Sequence, residues 1–160
     1  MLSQMRVQEL LSYDAQSGVL TWRVARVNHV QAGAVAGSRN PRGYVTVGID
    51  GRIYRAHRVA WLYAYGSWPK DQIDHINGDK SDNRLVNLRD VTHRTNQENM
   101  PAIRRSGKLL GTHFNKRHKK WLATINVDSK VLRLGNFGTE QEAHAAYLKA
   151  KRELHAGCTI

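Results

Sequence analysis

The chain of 160 residues has a single cysteine, Cys158. Neither a disulfide framework nor a cysteine-rich zinc site can be built from one thiol, and a reducing compartment such as the cytoplasm is expected. Long apolar runs are missing too. No stretch approaches the ~20 residues that cross a bilayer, and the opening Met1-Leu2-Ser3-Gln4-Met5-Arg6 lacks the apolar core of a secretory leader, so a soluble protein with no membrane role is expected. Acidic residues are scarce: 13 Asp and Glu face 25 Lys and Arg, leaving a net charge of +12. Such a surface favours a polyanion, of which nucleic acid is the commonest. No aromatic-rich RNA-binding motif accompanies the charge, which turns the expectation towards DNA. The length allows one ordinary domain or two small ones with a modest core.

Several elements can be read from local pattern. Val7, Leu10 and Leu11 suggest a short amphipathic helix that Ser12-Tyr13-Asp14 would end before a strand over Val19-Leu20-Thr21-Trp22. Residues 25–43, rich in Gly, Ala, Arg and Asn, read as a loop. A hairpin follows, with Tyr44 to Ile49 and Arg52 to Tyr54 joined by Asp50-Gly51, a pair suited to the positive φ angles of a primed turn. Ala56 to Tyr65 reads as a helix stopped by Gly66. Gln72 to Ile76 reads as a strand entering the Asn77-Gly78 turn, Leu85, Leu88 and Val91 as apolar anchors, and Thr92 as the cap of a short helix ended by Pro101. The basic, Pro- and Gly-flanked stretch after it is expected to link two domains. The predicted division is 1–100 for the first, 101–110 for the linker and 111–160 for the second.

The chemistry concentrates between Gln72 and Asn99. Hydrolysis of a phosphodiester needs a base for water and a cation for the charge that develops on oxygen. His75 suits the first role, because an imidazole is largely neutral near pH 7. Asp74 and Asn96 offer hard oxygen ligands for magnesium or manganese, leaving most of the coordination shell to water and phosphate. His93 is the rival ligand, one helical turn from Asn96. A calcium loop starting at Asp74 is excluded, since Ile76 occupies a ligand position and Gly78 is displaced from the required turn. His57, beside Arg55 and Arg58, reads either as a substrate contact or as a helix-start histidine satisfied by backbone groups; the second is preferred.

This segment, with its Asp74-His75 pair, Asn77-Gly78-Asp79-Lys80 turn, Asn83, Asn87-Leu88-Arg89 and Asn96, closely resembles the HNH nucleases of the ββα-metal group, in the branch found among phage-borne and homing endonucleases. The resemblance extends more loosely upstream through Tyr44-Val45-Thr46-Val47 and Arg55-Ala56-His57-Arg58. It implies that His75 is the general base, that Asp74 and Asn96 are metal ligands, and that Asn87 holds the loop orienting the site. Many HNH proteins carry His where this chain has Asn96; the phage homing branch tolerates Asn.

The last third follows a separate pattern. Trp121, Ala123, Ile125 and Val127 alternate with Thr124 and Asn126, and Leu132 and Leu134 are expected to share a face opposite Arg133. Thr139 and Glu142 form a capping box ahead of a stripe of Ala143, Ala146, Tyr147, Ala150 and Leu154, with Gly157 at the helix end. Residues 111–157 resemble the ethylene-response-factor type of DNA-binding domain, a three-stranded antiparallel sheet on one helix. That resemblance implies DNA contacts from His113, Asn115, Arg117, Thr124, Asn126, Val131 and Arg133 through the exposed sheet face, with Lys116, Lys119 and Lys120 on phosphates. There are fewer arginines at these positions than in the plant-type pattern. The combined expectation is an α+β, metal-dependent DNA endonuclease of homing type, cytoplasmic in a host cell if phage-encoded. Its partner is double-stranded DNA, with no obligate protein partner. A catalytically silent DNA-binding regulator is the alternative, against which Asp74, His75 and Asn96 weigh.

Overall fold

The computed structural model describes residues 1–26, 30–99, 109–155 and 157–159. The chain divides into two compact units, Met1–His93 and Arg94–Ile160, and its class is α+β. Residues 101–108, which hold most of the linker expected from composition, and Pro101 with them, lie outside the described residues.

In the first unit, helix α1 (Gln4–Leu10) starts where the Ser3 hydroxyl accepts the Arg6 N–H, and it buries Val7 and Leu10. Strand β1 (Leu11–Tyr13) pairs antiparallel with β2 (Leu20–Trp22), so the residues expected to end the helix continue as a strand. The glycine- and arginine-rich segment is not loop throughout: Ser38–Arg39 forms β3 against β4 (Val45–Ile49). The hairpin of β4 and β5 (Arg52–Arg55) closes as the sequence predicts, with Asp50 and Gly51 at φ 47° and 75°. Helix α2 (Ala56–Tyr65) ends at Gly66, whose left-handed φ of 74° lets its N–H bond the Leu62 carbonyl. The core joins Val7 and Leu11 to Val47, Ile49, Val59 and Leu62, all essentially without solvent contact. Burying each such side chain stabilises the unit by about 1.5–3 kcal/mol, so truncating Leu62 would loosen α2 and whatever α2 positions.

Next come β6 (Gln72–His75) and β7 (Leu88–Val91), an antiparallel pair joined by residues 76–87, of which Leu85–Asn87 form a 3₁₀ turn. The apolar anchors Leu88 and Val91 thus belong to a strand. Helix α3 (His93–Glu98) follows directly, which completes the order strand, strand, helix.

The second unit holds β8 (Thr112–Asn115), β9 (Lys120–Val127) and β10 (Lys130–Phe137) in the sheet order β10-β9-β8, with α4 (Glu140–Leu154) packed on it. The Thr139/Glu142 capping box is present in both directions, and buried Ala143 and Ala150 let α4 approach buried Ala123 and Ile125. A bulge between Arg133 and Gly135 leaves Leu134 without a register partner, so the expected alternation of Leu132 and Leu134 breaks there. Leu154 is largely exposed, and His144 and Lys151 are buried instead. The helix ends on His155 rather than on Gly157; a side chain at Gly157 would overlap the Thr95 carbonyl and Glu98, which is why glycine stands there. Gly111 has a similar role at φ 76°, where a Cβ would run into the Tyr147 ring.

Candidate active site

The β6–β7 register sets Asp74 opposite Arg89 and His75 opposite Leu88. Directly opposed residues share a face, and the Arg89 guanidinium takes Asp74 Oδ2 at 2.8 Å from Nη2 and 2.9 Å from Nε. Both Asp74 and His75 are buried. The connecting residues 76–87 hold themselves in place through polar contacts. Asn87 is the clasp: its Oδ1 accepts the Asn77 N–H at 2.9 Å and its Nδ2 donates to the Asp82 carbonyl at 2.9 Å. Asn77 Oδ1 accepts from the Asp79 N–H at 2.8 Å, and the Arg84 guanidinium holds the Asp82 carboxyl down to about 2. Tyr13 pins the loop from outside, donating to the Asn83 carbonyl at 2.9 Å and accepting the Leu85 N–H at 3.1 Å.

The His75 ring sits among polar and aromatic groups. Its Nε2 lies 3.4 Å from Asn83 Oδ1, a long hydrogen bond in which the imidazole N–H donates and the tautomer with a basic Nδ1 is selected. Burial lowers its pKa below the ordinary histidine value, against the pull of Asn83 and nearby carboxylates. The neutral form that a base requires is therefore favoured. The His57 ring meets His75 edge-on at 4.9 Å between centroids, and Tyr44 lies 5.6 Å from His57 and 6.1 Å from His75. His57 is 2 % exposed, and its Nδ1 has no hydrogen-bond partner. The expected helix-start histidine satisfied by backbone groups is therefore corrected. The side chain is turned into the interior, where burial first, then His75, Arg55 and Arg58, push its pKa down to about 3.

Asn83, Tyr44, Tyr13 and the Arg89 partner of Asp74 were not picked out by sequence reasoning as acting on the site. Asn83, Arg89 and Tyr44 stand within the segments that carry the family resemblance, with no role given to them there, and Tyr13 left no signal.

His93 and Asn96 both lie on α3, with His93 closing the first unit and Asn96 in the second. The His93 Nδ1 is 3.0 Å from Gln72 Nε2, an amide N–H that makes this nitrogen an acceptor already in use. Among the described residues, no group of three or more His, Cys, Asp or Glu side chains is gathered to hold a metal. The donor chemistry suits a hard cation that keeps most of its water: Asp74 presents a buried carboxylate steadied by Arg89, beside the histidine. Oxygen donors of this kind fit magnesium or manganese better than a softer metal.

In the second unit, strand pairing aligns Thr124 with Arg133, Asn126 with Val131, and Leu122 with His113 and Asn136. His113, Thr124, Asn126 and Arg133 therefore share the face that alternates with buried Ala123 and Ile125. Arg133 Nη2 donates to Asn136 Oδ1 at 3.1 Å, which orients the guanidinium. Asn115 acts on its own turn, where its Oδ1 accepts the N–H groups of Arg117 and His118 at 3.1 and 3.2 Å and shapes the β8–β9 connection. Arg117 and Lys119 are exposed in that turn, Lys119 at φ 49°.

A strand–strand–helix segment with an Asp-His pair on its first strand and an asparagine clasp under its loop is the arrangement of an HNH domain, and residues 54–98 match the family model described as HNH endonuclease. The chain thus carries an HNH endonuclease domain over these residues. It is 34% identical over 106 residues to "Protein 3.8" of Escherichia phage T7, covering 63% of this chain and 84% of that protein. No solved structure matches the chain. No helix among the described residues is long and apolar enough to cross a membrane.

Proposed function

We propose that the protein is a divalent-metal-dependent DNA endonuclease of homing type, with a nuclease module over 1–100 and a DNA-reading module over 111–160 joined by the basic 101–110 stretch. The observation that carries this reading is the buried Asp74-His75 pair over the Asn87-clasped loop, inside the matched HNH segment. His75 takes the proton from the attacking water. Asn83 fixes its tautomer, and Asn87 fixes the loop beneath it. Asp74 and Asn96 would hold magnesium or manganese, which when bound supplies positive charge for the phosphoryl and leaving oxygens. The test uses purified full-length protein and supercoiled plasmid. Nicked and linear forms are expected with magnesium or manganese and none with chelator; cutting that persists in chelator, or no cutting with either metal, defeats the proposal. The second outcome, with DNA binding retained, would favour a silent regulator in which Arg89 occupies Asp74 permanently.

The sheet of the second unit is the proposed reader, with His113, Asn115, Arg117, Thr124, Asn126 and Arg133 at base edges or backbone and Lys119 on phosphate. Sheets enter the major groove, and an arginine that reaches a guanine bidentately discriminates by about 1–3 kcal/mol. Arg133→Ala is therefore expected to lose roughly ten- to a hundredfold in preference for the selected site over random DNA, whereas Lys119→Ala weakens all sequences alike. Binding titrations on both DNAs distinguish the two, and an unchanged preference in Arg133→Ala removes that residue from the reading set.

A further inference from the structure

Tyr44 touches both histidines of the site, and two cations rest on its ring. Arg55 Cζ is 4.6 Å and Lys80 Nζ 4.9 Å from the ring centroid. The two come from different places: Arg55 closes β5 just ahead of His57, and Lys80 stands in the loop that follows His75. Their charges are also uncompensated. Arg39, Arg84 and Arg89 in the same unit are matched to Asp79, Asp82 and Asp74, while Arg55 and Lys80 have no carboxylate partner among the described residues. An aromatic face steadies a cation by about 0.5–1 kcal/mol at exposed sites without neutralising it. The ring therefore gathers two positive charges beside His75 and leaves both free for an anion. Chemically they complement each other: a guanidinium offers a planar fork and an ammonium a compact point charge, and both bind phosphate.

We propose that Arg55 and Lys80, carried on the Tyr44 ring that abuts His57 and His75, form a clamp for the phosphodiester backbone of DNA at the cleavage site. The proposal rests on His75 being the catalytic base, because the clamp's use is to hold a phosphate within that residue's reach. It also gives Tyr44 a function: the ring couples the position of the bound phosphate to the position of the histidines.

Two measurements separate the clamp from the endonuclease reading. The first is the salt dependence of affinity for a 30-base-pair random duplex, in full-length protein carrying His75→Ala to prevent cutting. The slope of log affinity against log salt is expected to fall by roughly 0.9 for Arg55→Gln and again for Lys80→Gln, one phosphate contact each. Arg55→Lys, which keeps the charge, should retain the slope. Arg52→Gln, which removes an equal charge from the same strand away from Tyr44, should leave it unchanged. The second is single-turnover cleavage of supercoiled plasmid with magnesium in the His75 background, where Arg55→Gln and Lys80→Gln should each be slower by tenfold or more and Arg52→Gln should cut normally. Unaltered slopes in the two clamp variants, or an equal loss in Arg52→Gln, overturn the clamp. If the parent protein never cuts while the slopes fall only at Arg55 and Lys80, the two residues bind DNA phosphate, but the endonuclease reading fails and the clamp's place at a cleavage site fails with it.

Discussion

His75→Ala is expected to lose DNA cleavage by roughly 10²- to 10⁴-fold, the usual contribution of a positioned general base, while affinity for DNA stays close to that of the parent. The separation follows from placement. His75 is buried, and its partners are Asn83, His57 and Tyr44 rather than an open surface, so it adds little to the electrostatic attraction that dominates DNA affinity. Burial lowers the pKa of the ring and Asn83 selects one tautomer, which under the proposed mechanism leaves it to accept a proton in the chemical step. Alanine also leaves a void against His57, and a loss of stability could imitate a loss of chemistry. His75→Gln fills most of that space without supplying a base of suitable pKa, and should be as inactive as alanine. Single-turnover cleavage, duplex binding and thermal midpoint measured on both variants settle the assignment. A glutamine variant that cuts within a few-fold of the parent would show that the proton goes elsewhere.

What the sequence discloses here depends on how far apart the partners lie along it. The Asp50-Gly51 hairpin, the Gly66 stop of α2 and the Thr139/Glu142 box are local chemistry, in which one or two residues set the backbone and the structure follows them. The clasp of Asn87 on Asn77 and Asp82 is nearly as local, and the family resemblance implied a loop-holding role for Asn87. Features that require long-range pairing stayed hidden. Strand β3 exists only because β4 offers it an edge, and the Arg89 partner of Asp74 is a consequence of the β6–β7 register. The bulge after Arg133 arises from the pairing with β9 and cancels an alternation that looked regular. Asn115, expected among the DNA contacts, also shapes its own turn by accepting the N–H groups of Arg117 and His118, a bond that the sequence pattern did not disclose. His57 is the instructive case. Its position at the start of a helix favours a local bond, and only the folded first unit shows the ring turned inward to meet His75.

That inward turn should give the first unit a distinctive sensitivity to acid. In the folded protein His57 is held at about 3 by burial and by the positive surroundings of His75, Arg55 and Arg58, against an ordinary value of 6.5. Above pH 6.5 the side chain is neutral in folded and unfolded chains alike, so its neutrality costs nothing. Between 6.5 and 3 the unfolded chain binds a proton that the folded one refuses, and stability falls as pH falls. Across the whole window the loss amounts to about 4–5 kcal/mol at 1.36 kcal/mol per unit, a large part of the total for a domain of this size. His57→Leu removes both the titration and the unbonded Nδ1. It is expected to match or exceed the parent in stability at pH 7.5, and to exceed it by roughly 2–3 kcal/mol at pH 4.5. Urea unfolding of both proteins, followed by the fluorescence of Trp22, Trp61 and Trp68, provides the comparison at pH 7.5, 5.5 and 4.5. The carboxylates and His75 titrate in both, so the difference between the two curves belongs chiefly to the substituted position. A gap that stays constant with pH would mean that the folded protein admits the proton on His57 as readily as the unfolded chain, and that the ring is not sealed in the interior.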